Sequence, residues 1–143
     1  LHPWTEDYLN PRRQPNINNC VLKITTPHGS VLLPADIEAK DEGTLISRSA
    51  DRLTATVLIA PHHGSRTSST DAFVQIVNPE LVIFPVGYLN RHIHPNTTVI
   101  ARYQAVKSEL LRSDNDGAVT VRFANHNWTA ERWRQRNRRY WQH

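Results

Sequence analysis

Apolar runs with strand character recur along the chain, and several end abruptly in polar, chemistry-bearing residues. Val57 to Ala60 is unbroken and partly β-branched, as a strand buried on both faces reads, and it stops at Pro61-His62-His63-Gly64-Ser65. Leu81 to Val86 repeats the pattern and opens into Gly87-Tyr88-Leu89-Asn90-Arg91-His92-Ile93-His94-Pro95. Upstream, Cys20 to Thr25 and Ser30 to Leu33 are separated by Thr26-Pro27-His28-Gly29, which predicts a hairpin with Gly29 at positive φ and Asp36 just past its second strand. Helical spacing appears between these strands. Ile37 to Ser49 offers Ile37, Leu45 and Ile46, weakened by Gly43; Ala72, Phe73, Ile76 and Val77 form a second face that Asn78-Pro79 ends. Asn96 to Val106 supplies a third, with Val99, Ile100 and Tyr103 on one side.

Glu109 to Leu111 predicts a short strand, and the Ser113-Asp114-Asn115-Asp116-Gly117 turn leads into the alternating Ala118 to Phe123. Trp128 to Trp133 is expected to pair with that strand as a closing hairpin. Strands alternating with helices predict an α/β layered fold. Residues 1–18, with Pro3, Pro11 and Pro15, read as an irregular leading segment, and 19–143 as the folded unit with a basic aromatic tail at 128–143.

The 143 residues suffice for one domain, and 38% hydrophobic with 21% charged residues is ordinary for a globular chain. Seventeen Lys and Arg against thirteen Asp and Glu give a net charge of +4, with the excess concentrated in Arg132 to Arg139. The single cysteine, Cys20, excludes an internal disulfide and a multi-cysteine zinc site and leaves the compartment open. No apolar run approaches the roughly 18 residues of a membrane span, and the first residues lack the regions of a signal peptide. A first residue other than methionine leads to the expectation of a fragment.

Paired imidazoles at the mouth of a buried strand are what a metal-dependent hydrolase needs there, although loop histidines bonded to backbone would look the same. Asp36 taken alone reads first as a helix N-cap. Asp114 and Asp116 read as turn residues bonding their own backbone. Arg91 and His94 line a loop able to meet an anionic substrate, and solvation suffices for His92. The tail mixes Arg132, Arg134, Arg136, Arg138 and Arg139 with Trp133, Tyr140 and Trp141. That interleaving suits phosphate neutralisation and base stacking, or equally a terminal strand covering the core with a basic outer face.

Several stretches occur in one register: Asn18 to Ile24, Leu32 to Glu38 followed by Glu42 and Leu45, Val57 to Ser69, Val86 to Pro95, Ser113 to Val119 and the ending Arg138-Arg139-Tyr140-Trp141. Together they resemble the C-terminal part of the metallo-β-lactamase-fold domain of the ComEC family, the DNA-uptake proteins of competence. The resemblance implies a four-layer αββα sandwich, with this chain as its second half and residues 1–18 continuing from a missing first half. It implies two divalent metal ions, zinc or manganese, with Asp36 bridging them and His62 as a ligand. His63 would stand behind His62 or face the substrate, and His94 would lie beside the site as a catalytic residue. Asn18 or Asn19 with Cys20 occupies the family's Asn-Asn-Ser position.

Two departures from the family pattern stand out: Ala35 where glycine is usual, and the absence of the H-x-H-x-D-H motif that supplies most ligands. The resemblance further implies a nuclease degrading the non-transported DNA strand, with Arg91 and the arginine tail on the DNA. Its partners would be the upstream half-domain and a membrane channel domain in a longer protein at the extracytoplasmic face of the inner membrane. This chain would itself be soluble and inactive alone. A DNA-binding module with a vestigial metal site, and a hydrolase of small phosphodiesters or esters, are the alternatives.

Overall fold

The computed structural model describes residues 1–3 and 19–137, so most of the leading segment, and Arg138 and Arg139, lie outside the described residues. The expected hairpin forms from β1 (Leu22–Thr26) and β2 (Gly29–Leu33), antiparallel with Leu22 opposite Leu33 and Thr26 opposite Gly29. Parallel strands β3 (Val57–Ile59), β4 (Leu81–Phe84) and β5 (Glu109–Arg112) extend it into one sheet, β1-β2-β3-β4-β5. Parallel neighbours require crossovers, and α1 (Ala39–Ser49), α2 (Asp71–Val77) and α3 (Thr97–Ala105) provide them.

Because strand side chains alternate, each short apolar run feeds two cores. Leu32, Leu58, Val82 and Phe84 point to one face, where they cluster with Leu45, Phe73, Val74, Val99 and Tyr103 of the three helices. Val57, Leu81 and Leu111 point to the other, and there they meet Val119, Val121, Phe123, Trp128 and Ala130. Those residues belong to the second sheet, β6 (Val119–Ala124) paired antiparallel with β7 (Asn127–Arg132). An isolated hairpin is marginal in water, so this one is held by its packing. The Phe123 ring sits where a Cβ on Gly29 would be, 2.5 Å away, and Trp128 Nε1 donates to Glu80 at 2.7 Å. The fold is therefore α/β, with helices on one face of a mixed sheet and a β-hairpin on the other.

Element boundaries shifted for identifiable reasons. The first helix begins at Ala39 instead of Ile37, because Glu38 occupies the N-cap and Ile37 turns into the core. Asp36 is thus no cap. The fourth strand stops at Phe84 because Pro85 has no N–H for the ladder. The Ser113–Gly117 turn contains one helical turn, α4 (Ser113–Asp116), where Asp116 Oδ2 accepts from the Arg112 amide at 2.8 Å and Asp114 grips the Arg112 guanidinium at 2.6 and 3.0 Å. Trp133, expected to close the hairpin, instead begins α5 (Trp133–Arg136). The β6–β7 hairpin leaves β1 uncovered, with Leu22 and Ile24 about half exposed. Among the described residues no helix is long and apolar enough to cross a membrane.

Candidate functional site

Parallel strands deliver their loops to one edge, and in such sheets that edge is where ligands bind. Here the loops after β2, β3 and β4 bring Asp36, His62, His63 and His94 together. The loops carrying Asp36 and the paired histidines are tied by the His62 amide, which donates to the Ala35 carbonyl at 3.0 Å. Ala35 itself has φ 55°, the conformation glycine adopts freely. His62, His63 and Gly64 follow one another at φ 47°, 58° and 81°, a strained run that persists only where surrounding bonds over-determine it. Those bonds are present: Ser65 N donates to His62 O at 2.9 Å and Ser68 Oγ to Pro61 O at 2.9 Å.

The tautomers of both histidines follow from their partners. His63 Nδ1 lies 2.9 Å from the Pro85 carbonyl, which can only accept, so Nδ1 carries the proton. Its Nε2 then faces Asp36 Oδ1 at 3.6 Å. In the neutral ring that is a lone pair facing a carboxylate, both half-exposed, with room for a water or a cation to bridge them. His62 Nδ1 lies 3.3 Å from Glu38 Oε1, an oxygen that also accepts from Thr67 Oγ1 at 3.2 Å. Its proton therefore sits on Nδ1 as well, leaving Nε2 free to accept.

The third loop is docked on the second. Asn96 N donates to Gly64 O at 2.9 Å, and a Cβ on Gly64 would lie only 2.7 Å from Pro95 Cβ. His94 consequently sits with its ring centroid 6.3 Å from that of His62, and His92 stacks on it at 5.6 Å. Partial burial, together with the imidazoles of His92, His62 and His63, holds His94 below its ordinary value of 6.5. It is neutral at neutral pH. Asn90 braces this loop, accepting from His94 N at 2.7 Å and donating to His94 O at 2.9 Å. Arg91 shares the loop, its Nε donating to His92 Nε2 at 3.2 Å.

The tail arginines lie elsewhere. Arg132 is engaged by Glu109 at 2.6 Å and Asp116 at 3.8 Å, and Arg136 by Glu131 at 3.0 Å. Arg134 donates to the Asp114 carbonyl. Three residues that shape the site escaped sequence reasoning as functional: Glu38, Thr67 and Pro85. Their partners are set by folding, and only Glu42, a carboxylate at the core spacing of Leu45 and Ser49, carried a readable signal of something unusual.

No protein-family model matches the chain. Over 117 residues it is 34% identical to Competence protein ComA of Neisseria gonorrhoeae, a match covering 79% of this chain and 17% of that protein. It is 33% identical over 128 residues to Uncharacterized protein YcaI of Escherichia coli, covering 90% and 17%. Against ComE operon protein 3 of Bacillus subtilis it is 31% identical over 110 residues, covering 77% and 14%. These relatives support a competence-related family. The chain spans no more than 17% of the length of the three.

The donors at the loop edge suit zinc or manganese by type: one carboxylate, and imidazoles whose Nδ1–H groups are already tied, as in metal-bound histidines. They do not converge on one point. Among the described residues no group of three His, Cys, Asp or Glu side chains is placed to hold a metal ion.

Proposed function

We propose that this chain contributes Asp36, His62, His63 and His94 to the active site of a metallo-β-lactamase-like αββα hydrolase domain that cleaves DNA phosphodiesters during DNA uptake. The observation that carries the reading is the His63 ring, fixed by Pro85 with Nε2 turned on Asp36, beside His62 at the mouth of a buried parallel strand. The names of the relatives support the DNA-uptake setting. Two divalent metal ions, when bound, supply an activated water and neutralise charge on the phosphate. The remaining ligands would come from sequence outside this chain, in a longer membrane protein with the domain at its extracytoplasmic face.

The chain's own residues have separate tasks in this reading. Asp36, free of any capping role, and the Nε2 atoms of His62 and His63 supply donor atoms. Neutral His94 can donate an N–H hydrogen bond to a phosphate oxygen, the departing one included, without giving up its proton. Arg91 adds the one fixed positive charge of that loop, and the arginines of the tail attract the DNA backbone at longer range.

The test compares two substrates in the polypeptide extended to include the upstream half-domain. Arg91→Ala is expected to lower manganese-dependent cleavage of labelled DNA by about tenfold, the worth of one charge-assisted phosphate contact, and to leave hydrolysis of bis(p-nitrophenyl) phosphate unchanged. Equal loss on both substrates would point to a small-substrate hydrolase. DNA binding with no cleavage in any divalent metal would leave a binding module.

A further inference from the structure

The loop between β4 and α3 carries three large side chains that the fold does not use. Tyr88, Leu89 and Ile93 are 76, 82 and 84% exposed, far more than any other large apolar residue described apart from Trp133. Their exposure is built in. Asn90 clamps the loop to itself through both ends of its amide, reaching His94 and, at 3.4 Å, the Gly87 carbonyl. The amide of Ile93 closes a second turn on the Asn90 carbonyl at 3.2 Å. Leu89 and Ile93 sit at φ 53° and 54°, a conformation in which a β-branched residue is a genuine outlier. A loop that accepts such strain while displaying apolar side chains to water presents a surface for something else.

The neighbours of the patch indicate what. Residues 87–95 contain no acid, and Arg91, His92 and His94 interleave with the apolar side chains. Tyr88 and Arg91 thus share one short loop, and an exposed aromatic ring with a cation nearby in the chain is a combination that grips unpaired bases, since stacking needs an exposed base face and the cation meets a neighbouring phosphate. In a duplex those faces are already stacked and hidden. The loop also ends at the site, Ile93 being next to His94, whose ring approaches His62. An occupant running along the loop is therefore brought to the histidine cluster.

We propose that Tyr88, with Leu89 and Ile93 at its sides and Arg91 on the phosphate, forms a stacking platform that selects single-stranded nucleic acid for the site. This deepens the hydrolase reading and rests on it for the choice of nucleic acid, but its test needs no cleavage. The affinity of the 143-residue chain for a labelled oligothymidylate and for a duplex of equal length would be measured by fluorescence anisotropy in EDTA. Tyr88→Ala is expected to weaken single-strand binding roughly 5- to 100-fold, the range for loss of one stacked base, and to leave duplex binding within about twofold. Tyr88→Phe is expected to bind like the unaltered chain.

Equal losses on both oligonucleotides, no loss on the single strand, or no binding by the unaltered chain would each overturn the proposal. So would loss of binding to anionic lipid vesicles in Leu89→Ser with Ile93→Ser while oligothymidylate binding stays intact. Tyr88-dependent single-strand binding in a protein whose extended form cleaves nothing would retain the platform and discard the hydrolase.

Discussion

Gly64→Ala is expected to destabilise the protein by about 2–5 kcal/mol and to disperse the histidine cluster, because two costs coincide at one atom. The new Cβ would lie 2.7 Å from Pro95 Cβ and 2.8 and 2.9 Å from Cδ1 and Cε1 of Phe84. Phe84 is fully buried and cannot retreat without opening the helix-side core. The backbone at φ 81° is also one that alanine adopts only under strain. Pro95 is the easier part to displace, and it carries His94 with it. The melting temperature should therefore fall by roughly 10 °C, and NMR resonances of the His94 ring should move. Gly43→Ala is the matched control, since nothing lies within 4 Å of its would-be Cβ inside α1. It should stabilise the chain by about 0.5–1 kcal/mol.

Glu42→Ala is expected to cost about 3–5 kcal/mol, comparable to breaking a buried ion pair. Glu42 is fully buried, and its carboxylate accepts from Ser69 N at 2.5 Å and Thr70 N at 2.8 Å. Those amides begin the segment leading into α2 and have no other partner described. Tyr103 OH donates to Ser69 Oγ at 2.9 Å and Arg102 to Ser69 O at 2.9 Å, so one carboxylate joins α1, α3 and the segment behind the histidine loop. Truncation leaves the buried Ser69 N–H unsatisfied at about 1–3 kcal/mol and the half-buried Thr70 N–H without its acceptor, in addition to the lost side-chain packing. Glu42→Gln keeps one acceptor and turns an amide NH2 on the other N–H, so its loss should be smaller.

The pH dependence gives a second readout. Burial raises Glu42 above its ordinary 4.5, against the opposing bonds from Thr70 and Ser69 and the charge of Arg102. A raised carboxylate contributes stability that is full below 4.5 and is lost as pH rises through the folded value. The difference in urea-unfolding stability between the parent and Glu42→Gln should therefore shift in favour of the parent on acidification through that window. A difference flat with pH would mean that the carboxylate is not desolvated as described.

Much of this fold was legible because apolar runs and turn residues act locally. The β1–β2 hairpin, the parallel strands and the three helices follow from period and punctuation, and Asn78-Pro79 ends its helix where those residues must. The alternation of Val119, Val121 and Phe123 was equally readable. The surface it covers was not, since burial of the second sheet face depends on Val57, Leu81 and Leu111 being displayed together by residues far apart in the chain.

The same division holds at the site. Strand ends draw attention to His62 and His63, whereas Asp36 alone reads as a helix cap and joins them, with His94, only through the family resemblance; the fold sets the loops of all four at one sheet edge. Which ring nitrogen faces Asp36 is decided by the Pro85 carbonyl, 22 residues from His63, and no local pattern encodes it. The arginine tail shows the limit of composition: counting its charges does not reveal that Glu109, Asp116 and Glu131 already engage Arg132 and Arg136.

The central claim is that Asp36 and the paired histidines serve phosphodiester hydrolysis. Its most direct measurement is zinc- and manganese-dependent cleavage of labelled DNA by the upstream-extended polypeptide, comparing the parent with Asp36→Asn, His62→Ala and His63→Ala. Circular dichroism would establish that each variant stays folded. The expected result is cleavage by the parent that EDTA abolishes, and loss to background in Asp36→Asn and in at least one histidine variant. Parental cleavage retained in folded Asp36→Asn, or no metal-dependent cleavage by the parent, would contradict the claim.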